Sequence, residues 1–254
     1  MSTTQIAIHI SRTSVQVAEV LRSNHEIVRA YEQPLLENTA EGYKSELKSF
    51  FQSIQLQDDY AEYTMAWQSS KHTLVPLSVF NESSARPIYT LMFGEEMEQN
   101  TIDYNRLMEL SMVSIYEIPD WVKSFFIIKF PQIMFKHEQA ITLRALFQQS
   151  TYKRKLVVTL CDDYIDIMLI HQNELRFSNV FEFQSAEDIL YHLLFVLEQK
   201  DIKEEEGSIH FYFNNKANKL IAEETKKLVE KHQILKKIKV ETISSSLKLQ
   251  TLCV

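Results

Sequence analysis

Residues 155–183 read KLVVTLCDDYIDIMLIHQNELRFSNVFEF, and this stretch predicts three β-strands in succession. Its apolar runs are bounded by polar turn residues, which is typical of successive strands. The acidic turn 161–164 separates the first two strands, and Gln172–Asn173 separates the second from the third. Ser185 is placed to cap a following helix, with Asp188 three residues further on as the acidic partner. The segment therefore predicts a unit of three strands and one helix.

The N-terminal part of the chain predicts the same order. Residues 5–34, QIAIHISRTSVQVAEVLRSNHEIVRAYEQP, indicate three strands, with a polar turn at Ser11–Ser14. A helical pattern follows over residues 38–54, with Asn38 or Thr39 as its cap. The segment YTMAWQ then predicts a short strand.

The second half continues in the matching way. After the helix, SIHFYF predicts a strand, and the pair Asn214–Asn215 precedes a helix near 216–232 and a strand near 236–243. The chain thus carries two copies of one pattern, about 150 residues apart. Duplication on this scale predicts two similar lobes, residues 1–150 and 151–254, each with a mixed sheet and helices.

Residues 69–135 are the least regular part, and we interpret them as an insertion in the first lobe. Within them, DYNRLMELSMVSIYEIP predicts a hairpin, and DWVKSFFIIKF predicts a helix with Asp120 as its N-cap. The segment QIMFKHEQAITLRALFQQ, which overlaps the end of the insertion, predicts a strand and then a helix.

The composition excludes several classes of protein. Of 254 residues, 45% are hydrophobic and 24% are charged, close to the average for globular domains. The formal net charge of -7 offers no basic face, so we expect no nucleic acid partner. Two cysteines are too few for a disulfide framework and fit a reducing compartment.

The sequence also predicts a cytoplasmic protein without a transmembrane segment. The N-terminus, MSTTQIAIHIS, lacks the basic region and the long apolar run of a signal peptide. The most apolar stretch, WVKSFFIIKFPQIMF, is interrupted by Lys123, Lys129 and Pro131. It falls short of the ~20 apolar residues that a membrane span needs.

Glycine is scarce in this chain. There are three glycines, Gly42, Gly94 and Gly207, where average usage of about 7% would give roughly 18. Glycine allows a backbone to adopt positive φ angles and to approach a phosphate closely. The chain is therefore poorly equipped for a glycine-rich phosphate loop, although compositional drift in an AT-rich genome would also lower the count.

The duplicated pattern of three strands, a helix and a strand resembles the actin-like ATPase superfamily, which includes actin, heat-shock chaperone ATPases and sugar kinases. The segment SMVSIYEIPDWVKSFFIIKFPQIMFKHEQAITLRAL is similar to the lobe-joining segment of the type IV pilus assembly protein M family. The segments TLVPLSVF, MVSIYEIPDWV and EDILYHLLFVLEQ resemble a bacterial protein family of unknown activity within the superfamily. The resemblance implies an α/β fold with duplicated RNase H-like lobes in an actin-like arrangement.

The resemblance also implies where ATP would bind. In the superfamily, each phosphate hairpin carries an Asp that orders a Mg²⁺-bound water and a Gly that lets the amides of the turn approach phosphate. Here His9 and Ser11 occupy those positions in the first hairpin, and Thr159 and Cys161 occupy them in the second. All four positions depart from the superfamily pattern.

Two further departures bear on the nucleotide. The adenosine-side glycine pair of the superfamily corresponds to Asn214–Asn215, which tolerate a left-handed turn but place side chains where the nucleotide would pack. Asp162 and Asp163 put two carboxylates in the second phosphate turn, where each contact with phosphate at ~4 Å costs about 1 to 4 kcal/mol. We therefore interpret the nucleotide positions as vestigial and expect no catalytic residue, cofactor or metal.

A second chemistry uses some of the same residues. RNase H-like nucleases employ carboxylates in two-metal catalysis, and the candidates here are Asp162, Asp163 and Asp166 with Glu187 or Asp188. The alternative is that the first two form a turn, that the last two lie in the first turn of a helix, and that Asp166 faces solvent or bonds within the turn. The acidic chain lacks a basic track for a nucleic acid, which favours the alternative.

The histidines and the internal cysteine predict no active centre. His9, His171 and His210 have no spacing typical of metal ligands, and we expect His9 to be a hydrogen-bonded structural residue. Cys161 is expected to be half-buried, and no base that would activate a catalytic thiol is visible nearby.

Two functional hypotheses follow. The first is a non-catalytic actin-like protein that acts as an interaction module or scaffold for an unidentified protein partner, or by self-association, including as a homodimer. The second is a nucleotide-binding switch or ATPase with a divergent site.

Overall fold

The structure is a computed structural model that describes residues 3–37, 39–57, 59–94, 100–148, 153–200, 207–232, 235, 238–244, 247 and 249–250. The chain divides into two compact units, one formed by residues 1–145 with the C-terminal residues from 249, and one formed by residues 146–248. The predicted lobes differ from these units chiefly at the C-terminus, where the described residues 249–250 belong to the first unit.

The first unit contains eight strands and three complete helices among its described residues. In chain order they are β1 (Thr4–Ile10), β2 (Ser14–Leu21), β3 (Ile27–Pro34), α1 (Ala40–Ser53), β4 (Glu62–Trp67), β5 (His72–Pro76), α2 (Ala85–Phe93), β6 (Asn100–Leu107), β7 (Met112–Pro119), α3 (Asp120–Lys129) and β8 (Met134–His137). A further helix, α4 (Glu138–Phe147), begins in the first unit and crosses the boundary.

The second unit contains five strands and two helices among its described residues. They are β9 (Arg154–Leu160), β10 (Tyr164–His171), β11 (Glu174–Glu182), α5 (Ala186–Gln199), β12 (Gly207–Phe213), α6 (Lys216–Lys231) and β13 (Ile238–Ser244).

Each unit is built on a five-stranded sheet with the same topology. The strand order is β3-β2-β1-β4-β8 in the first unit and β11-β10-β9-β12-β13 in the second. In both sheets the first three strands of the unit are antiparallel neighbours, and the remaining two run parallel to the first. The predicted α/β fold with duplicated RNase H-like lobes and mixed sheets is confirmed.

The duplication extends to the register of the strands. Ile10 pairs with Val15 in the first unit, and Leu160 pairs with Ile165 in the second, so that a four-residue turn closes each hairpin. In both units the second strand also has a register shift after its sixth residue, where it pairs with the third strand. Such bulges are retained features of a sheet and increase its local twist.

Alternating apolar residues of the central strands form the two cores. In the first unit, one face of β1 packs against α1 and α3, and in the second, one face of β9 packs against α5 and α6. Burying each such side chain stabilises the unit by about 1.5 to 3 kcal/mol. The first core includes Ile6, Ile8, Ile10, Leu47, Phe50, Val122 and Phe126, and the second includes Leu156, Val158, Leu160, Ile189, Leu193, Ala222 and Val229.

A three-stranded antiparallel sheet, in the order β5-β7-β6, lies within the segment predicted as an insertion. The predicted hairpin is confirmed as β6 and β7, whereas the sequence did not predict β5 or α2. Strand β5 has five residues and ends at Pro76, so it offers too few alternations for a pattern to show. Helix α2 packs Ala85 and Tyr89 against Val113 and Ile115 of β7.

The helix caps give one confirmation and one correction. The side chain of Thr39 accepts a hydrogen bond from the Gly42 amide and caps α1, as predicted, while the alternative cap Asn38 lies outside the described residues. Asp120 was wrongly predicted as the N-cap of α3, because Pro119 holds that position and Asp120 is the first helical residue. Its carboxylate accepts a hydrogen bond from the Thr101 hydroxyl instead.

Within the described residues, none of the helices combines the length and apolar character needed to cross a lipid bilayer.

Candidate functional site

The turn of the first hairpin is closed by a serine hydroxyl. Ser11 Oγ accepts hydrogen bonds from the backbone amides of Thr13 and Ser14, both at 3.1 Å. The Ser11 amide in turn donates to the Ser14 carbonyl at 3.0 Å. These amides belong to the turn that faces phosphate in the superfamily, and here a side chain of the turn itself satisfies two of them. Ser11 is buried, so the oxygen is fixed in place.

His9, at the predicted Asp position, lies in a buried polar group. Its Nε2 is 3.4 Å from Oε1 of Glu138, and both side chains are buried. The side-chain amide of Gln68 donates to the other carboxylate oxygen of Glu138. Burying a carboxylate is costly unless it is paired and hydrogen-bonded, and these two partners meet that requirement. The preferred structural interpretation of His9 agrees with this geometry.

The topology explains why these three residues meet. His9 is the penultimate residue of β1, Gln68 follows β4, and Glu138 follows β8. The three strands are parallel, so their carboxyl ends share one edge of the sheet, where ligands of open α/β sheets commonly bind.

A second buried polar group adjoins it and centres on His137. Its Nδ1 accepts from the Gln139 amide at 3.2 Å, and its Nε2 lies 3.2 Å from the Ser69 carbonyl. The rings of His72 and Tyr116 lie 4.4 and 5.1 Å from it, centre to centre. Burial, together with the neighbouring His72 and His9, holds the pKa of His137 well below its usual value. The ring is therefore neutral at pH 7.

The second hairpin is fixed by a helix rather than by its own turn. The buried side-chain amide of Asn218, on α6, donates to the Leu160 carbonyl at 3.2 Å and to the Cys161 carbonyl at 3.1 Å. Cys161 itself is fully buried, rather than half-buried as predicted, and its Sγ is 3.8 Å from the Thr159 carbonyl. Both Thr159 and Cys161 thus lie inside the unit.

The acidic residues of this hairpin separate. Asp162 is partly exposed and Asp163 is exposed at the turn, as expected of turn-forming residues. Asp166 was predicted to face solvent or to bond within the turn, but it is 4% exposed and lies on β10 opposite Thr159. The prediction of a solvent-facing side chain is wrong because the hairpin is central in its sheet and both of its faces are covered.

The two remaining candidate carboxylates, Glu187 and Asp188, lie in the first turn of α5. Asp188 accepts hydrogen bonds from the amides of Gln184 and Ser185, which completes the predicted capping box and lowers the pKa of Asp188. Glu187 is exposed one residue earlier. Among the described residues, no three His, Cys, Asp or Glu side chains are grouped as they would be around a metal ion.

The asparagine pair caps α6 in an extended conformation. The side chain of Asn215 accepts from the Asn218 amide at 2.8 Å, and its φ of −135° is not left-handed. The expected left-handed turn is therefore not formed at Asn215. In the part of the chain that the structure describes, left-handed φ angles occur instead at four other non-glycine residues, His25, Ser111, Gln172 and Asn173.

Sequence reasoning missed Gln68, His72, His137 and Glu138. A signal was available for Gln68 and Glu138, because each directly follows a short strand, YTMAW or MFKH, and the carboxyl ends of parallel strands meet. Using it required knowing that β8 lies beside β4, a contact between segments about 70 residues apart.

The sequence model of the family described as "Protein of unknown function (DUF3822)" matches residues 2–232. The chain belongs to this family. No curated protein matches the sequence significantly.

Solved structures show which fold this family member has. A Bacteroides thetaiotaomicron protein, described as having an actin-like ATPase fold and unknown function, is 21% identical with a TM-score of 0.79, and the match covers 99% of this chain and 96% of that one. The PilM–PilN type IV pilus biogenesis complex gives 10% identity and a TM-score of 0.59 over 96% and 89% of the two chains. The inorganic polyphosphate/ATP-glucomannokinase of Arthrobacter sp. strain KM gives 9% and 0.53 over 99% and 98%. This DUF3822 chain therefore has the actin-like ATPase fold, as the sequence resemblance implied.

Proposed function

We propose that this chain is a non-catalytic member of the actin-like ATPase fold that acts by binding another protein. The observation that carries the proposal is the closure of the first phosphate turn by Ser11. Its hydroxyl oxygen accepts hydrogen bonds from the backbone amides of Thr13 and Ser14. A phosphate group would have to displace this oxygen from two hydrogen bonds, each with a net value of about 0.5 to 1.5 kcal/mol.

The second hairpin supports the proposal in a different way. Its superfamily Asp and Gly positions are held by the buried Thr159 and Cys161, neither of which supplies a carboxylate for a Mg²⁺-bound water. Asp162 and Asp163 add negative charge to the turn, which disfavours polyphosphate. Each hairpin thus retains its backbone geometry without the side chains that make it useful to ATP.

Protein binding does not require the side chains that these hairpins lack. One structural neighbour is part of the PilM–PilN complex, so the fold occurs in a protein assembly. One edge strand of each five-stranded sheet, β3 in the first and β11 in the second, is partly exposed and offers backbone groups for pairing with an added strand.

A nucleotide-binding switch is the second candidate, and one observation favours it. His9, Gln68 and Glu138 form a buried polar group at the carboxyl ends of three parallel strands, the edge where α/β sheets bind ligands. On this hypothesis the group would hold a nucleotide-bound water in place of the missing Asp.

Thermal melting with and without Mg·ATP, Mg·GTP and Mg·ADP separates the two candidates. A ligand at 100 times its dissociation constant adds about 2.7 kcal/mol of stability. We expect melting temperatures that do not change with any nucleotide, and no nucleotide hydrolysis. A saturable upward shift that is lost in Glu138→Gln but kept in Glu41→Gln, an exposed control on α1, would favour the switch.

The partner-binding function is tested separately with the tagged chain expressed in its host. We expect cross-linking and affinity purification to recover one reproducible partner, and the purified pair to form a complex of defined stoichiometry by light scattering. The absence of any such complex, together with a strictly monomeric chain in solution, would contradict the proposal.

A further inference from the structure

A line of five aromatic rings crosses the surface of the second unit, from β11 to α5. Successive ring centres are 6.2 Å apart for Phe177 and Phe181, 4.4 Å for Phe181 and His192, 5.3 Å for His192 and Tyr191, and 6.3 Å for Tyr191 and Phe195. We call these five side chains the aromatic strip. The contacts are continuous, so the rings form one surface feature rather than scattered residues.

The strip is anchored at one end and exposed at the other. Phe177 and Phe181 pack against the core of the unit, whereas Tyr191 is 63% exposed and Phe195 is 38% exposed. Tyr191 and Phe195 are four residues apart on α5 and stack on each other, so they lie on one face of the helix. Rigid, preordered aromatic side chains at a surface are the residues that dominate protein interfaces.

Acidic residues flank the exposed rings. Glu187 and Glu198 are exposed on α5, four residues before Tyr191 and three after Phe195, which places them near the same helix face. The two residues are eleven positions apart, or about 16 Å along the helix. Glu182 adds a third exposed carboxylate at the end of β11. The Lys200 ammonium lies 5.4 Å from the centre of the Phe177 ring, and the guanidinium of Arg176, the residue before Phe177, is paired with Glu174.

From this pattern we infer that the aromatic strip docks an amphipathic helix of a partner protein that carries lysine or arginine on either side of its apolar face. Apolar side chains of such a helix would cover Tyr191 and Phe195. Cations about eleven residues apart would face Glu187 and Glu198. An anionic lipid surface is disfavoured because the same carboxylates would repel it.

A second copy of this chain is a poor occupant for the same electrostatic reason. In a two-fold pairing the same surface meets itself, so antiparallel α5 helices would place Glu187 against Glu198 of the other copy. Pairing of two β11 edges about Ser178 would set Glu174 against Glu182. Like charges in direct opposition destabilise both arrangements.

This inference rests on the proposed partner-binding function, and defined probes test it without a known partner. The first probe is a fluorescent helical peptide of about 18 residues, five helical turns, with a leucine face bordered by lysines. The second is the same peptide with glutamate in place of every lysine. Binding to the full chain is followed by fluorescence anisotropy at low and at physiological ionic strength.

Two pairs of substitutions separate specific docking from general charge attraction. Tyr191→Ser with Phe195→Ser leaves the net charge unchanged, and Glu187→Lys with Glu198→Lys changes it by the same amount as the control pair Glu32→Lys with Glu41→Lys in the first unit. We expect the serine pair and the Glu187→Lys, Glu198→Lys pair each to lower the affinity for the lysine peptide about tenfold or more. The control pair should change this affinity by less than about twofold at physiological ionic strength. The control Leu220→Ser, an exposed apolar residue on α6, should have no effect.

Three results would overturn the inference. In the first, the lysine peptide does not bind. In the second, the two test pairs and the control pair lower the affinity for the lysine peptide equally. In the third, the glutamate peptide binds with the same affinity as the lysine peptide. Self-association that disappears in the Tyr191→Ser, Phe195→Ser variant would instead assign the strip to a second copy. A host partner that still binds this variant would remove the docking surface while leaving the proposed function intact.

Discussion

At the scale of single residues, Ser11 illustrates how a side chain can replace a ligand. Its hydroxyl oxygen accepts hydrogen bonds from two backbone amides of the turn, with N to Oγ distances of 3.1 Å each. The bond from Ser14 is buried and that from Thr13 is partly buried, so removing the acceptor leaves both donors with little access to water in its place. The turn is therefore stable without phosphate.

Substituting Ser11→Ala should lower the free energy of unfolding by about 1 to 3 kcal/mol, because one buried and one partly buried amide would lose their acceptor. Urea denaturation followed by circular dichroism measures the change. Ser23→Ala, at an exposed turn, is the matched control and should change stability by less than about 0.5 kcal/mol. Equal stability of the two variants would show that the Ser11 hydroxyl does not close the turn.

Gln172 shows the consequence of the scarcity of glycine. It occupies the left-handed region with a φ of 52°, and Asn173 follows with 59°, a combination typical of the tightest hairpin turns. A non-glycine residue in this region costs of order 1 kcal/mol or more, which glycine avoids.

Replacing Gln172→Gly should therefore raise the free energy of unfolding by about 0.5 to 1 kcal/mol, after the larger loss of chain entropy for glycine is included. The control Gln184→Gly, at an exposed position that is not left-handed, should lower it instead. Thermal or urea unfolding of both variants measures the sign. A destabilised Gln172→Gly variant would contradict the account of strain at this turn.

At the scale of elements, Asn218 connects a helix to a strand end. Its amide reaches from α6 to the carbonyls of Leu160 and Cys161, and its own backbone amide is capped by Asn215. The position of α6 and the conformation of the second hairpin are thereby linked. The first hairpin, by contrast, is closed by a residue of its own turn.

Truncating Asn218→Ala should lower the free energy of unfolding by about 2 to 4 kcal/mol, since two buried carbonyls lose their donor and a small cavity remains. Lys219→Ala, the adjacent exposed residue of the same helix, controls for the loss of a helical side chain and should be nearly neutral. Urea unfolding gives the magnitudes. A similar cost for both variants would rule out the proposed link.

The elements that the sequence predicted well are those with local signals. The two sets of three strands, α1, α5, α6 and the β6–β7 hairpin follow from alternation, caps and turns, all of which act over a few residues. Asp166 was misplaced because its burial depends on neighbours on both sides of the hairpin, which only the sheet order supplies. Glu138 and Gln68 were missed for the same reason, as they meet only through the pairing of β4 with β8.

At the scale of the whole molecule, the buried His137 and the partly buried His210 couple stability to pH. His137 is neutral, and its pKa lies well below 6.5 because of burial and of the neighbouring His72. Burial likewise lowers the pKa of His210 to about 4, and the nearby Lys155 adds to that effect while Glu241 opposes it. Protonating Nδ1 of His137 would also break the hydrogen bond that it accepts from the Gln139 amide.

The sign of the coupling follows from proton counts. Below about pH 6.5 the unfolded chain binds a proton at each of these histidines, whereas the folded chain does not until its own lower pKa is reached. Stability should therefore fall as pH drops from 6.5 towards 5, by up to about 1.4 kcal/mol per pH unit for the buried His137 and by less for the partly buried His210. Above pH 7 their contribution should be constant.

Urea unfolding at pH 7.5, 6.5, 5.8 and 5.2 measures the slope of the free energy of unfolding against pH, which in His137→Gln should decrease by about one proton. His25→Gln, at an exposed turn, should leave the slope unchanged. A slope that is flat over this range, or that is the same in His137→Gln as in the parent chain, would show that His137 does not remain neutral in the folded protein.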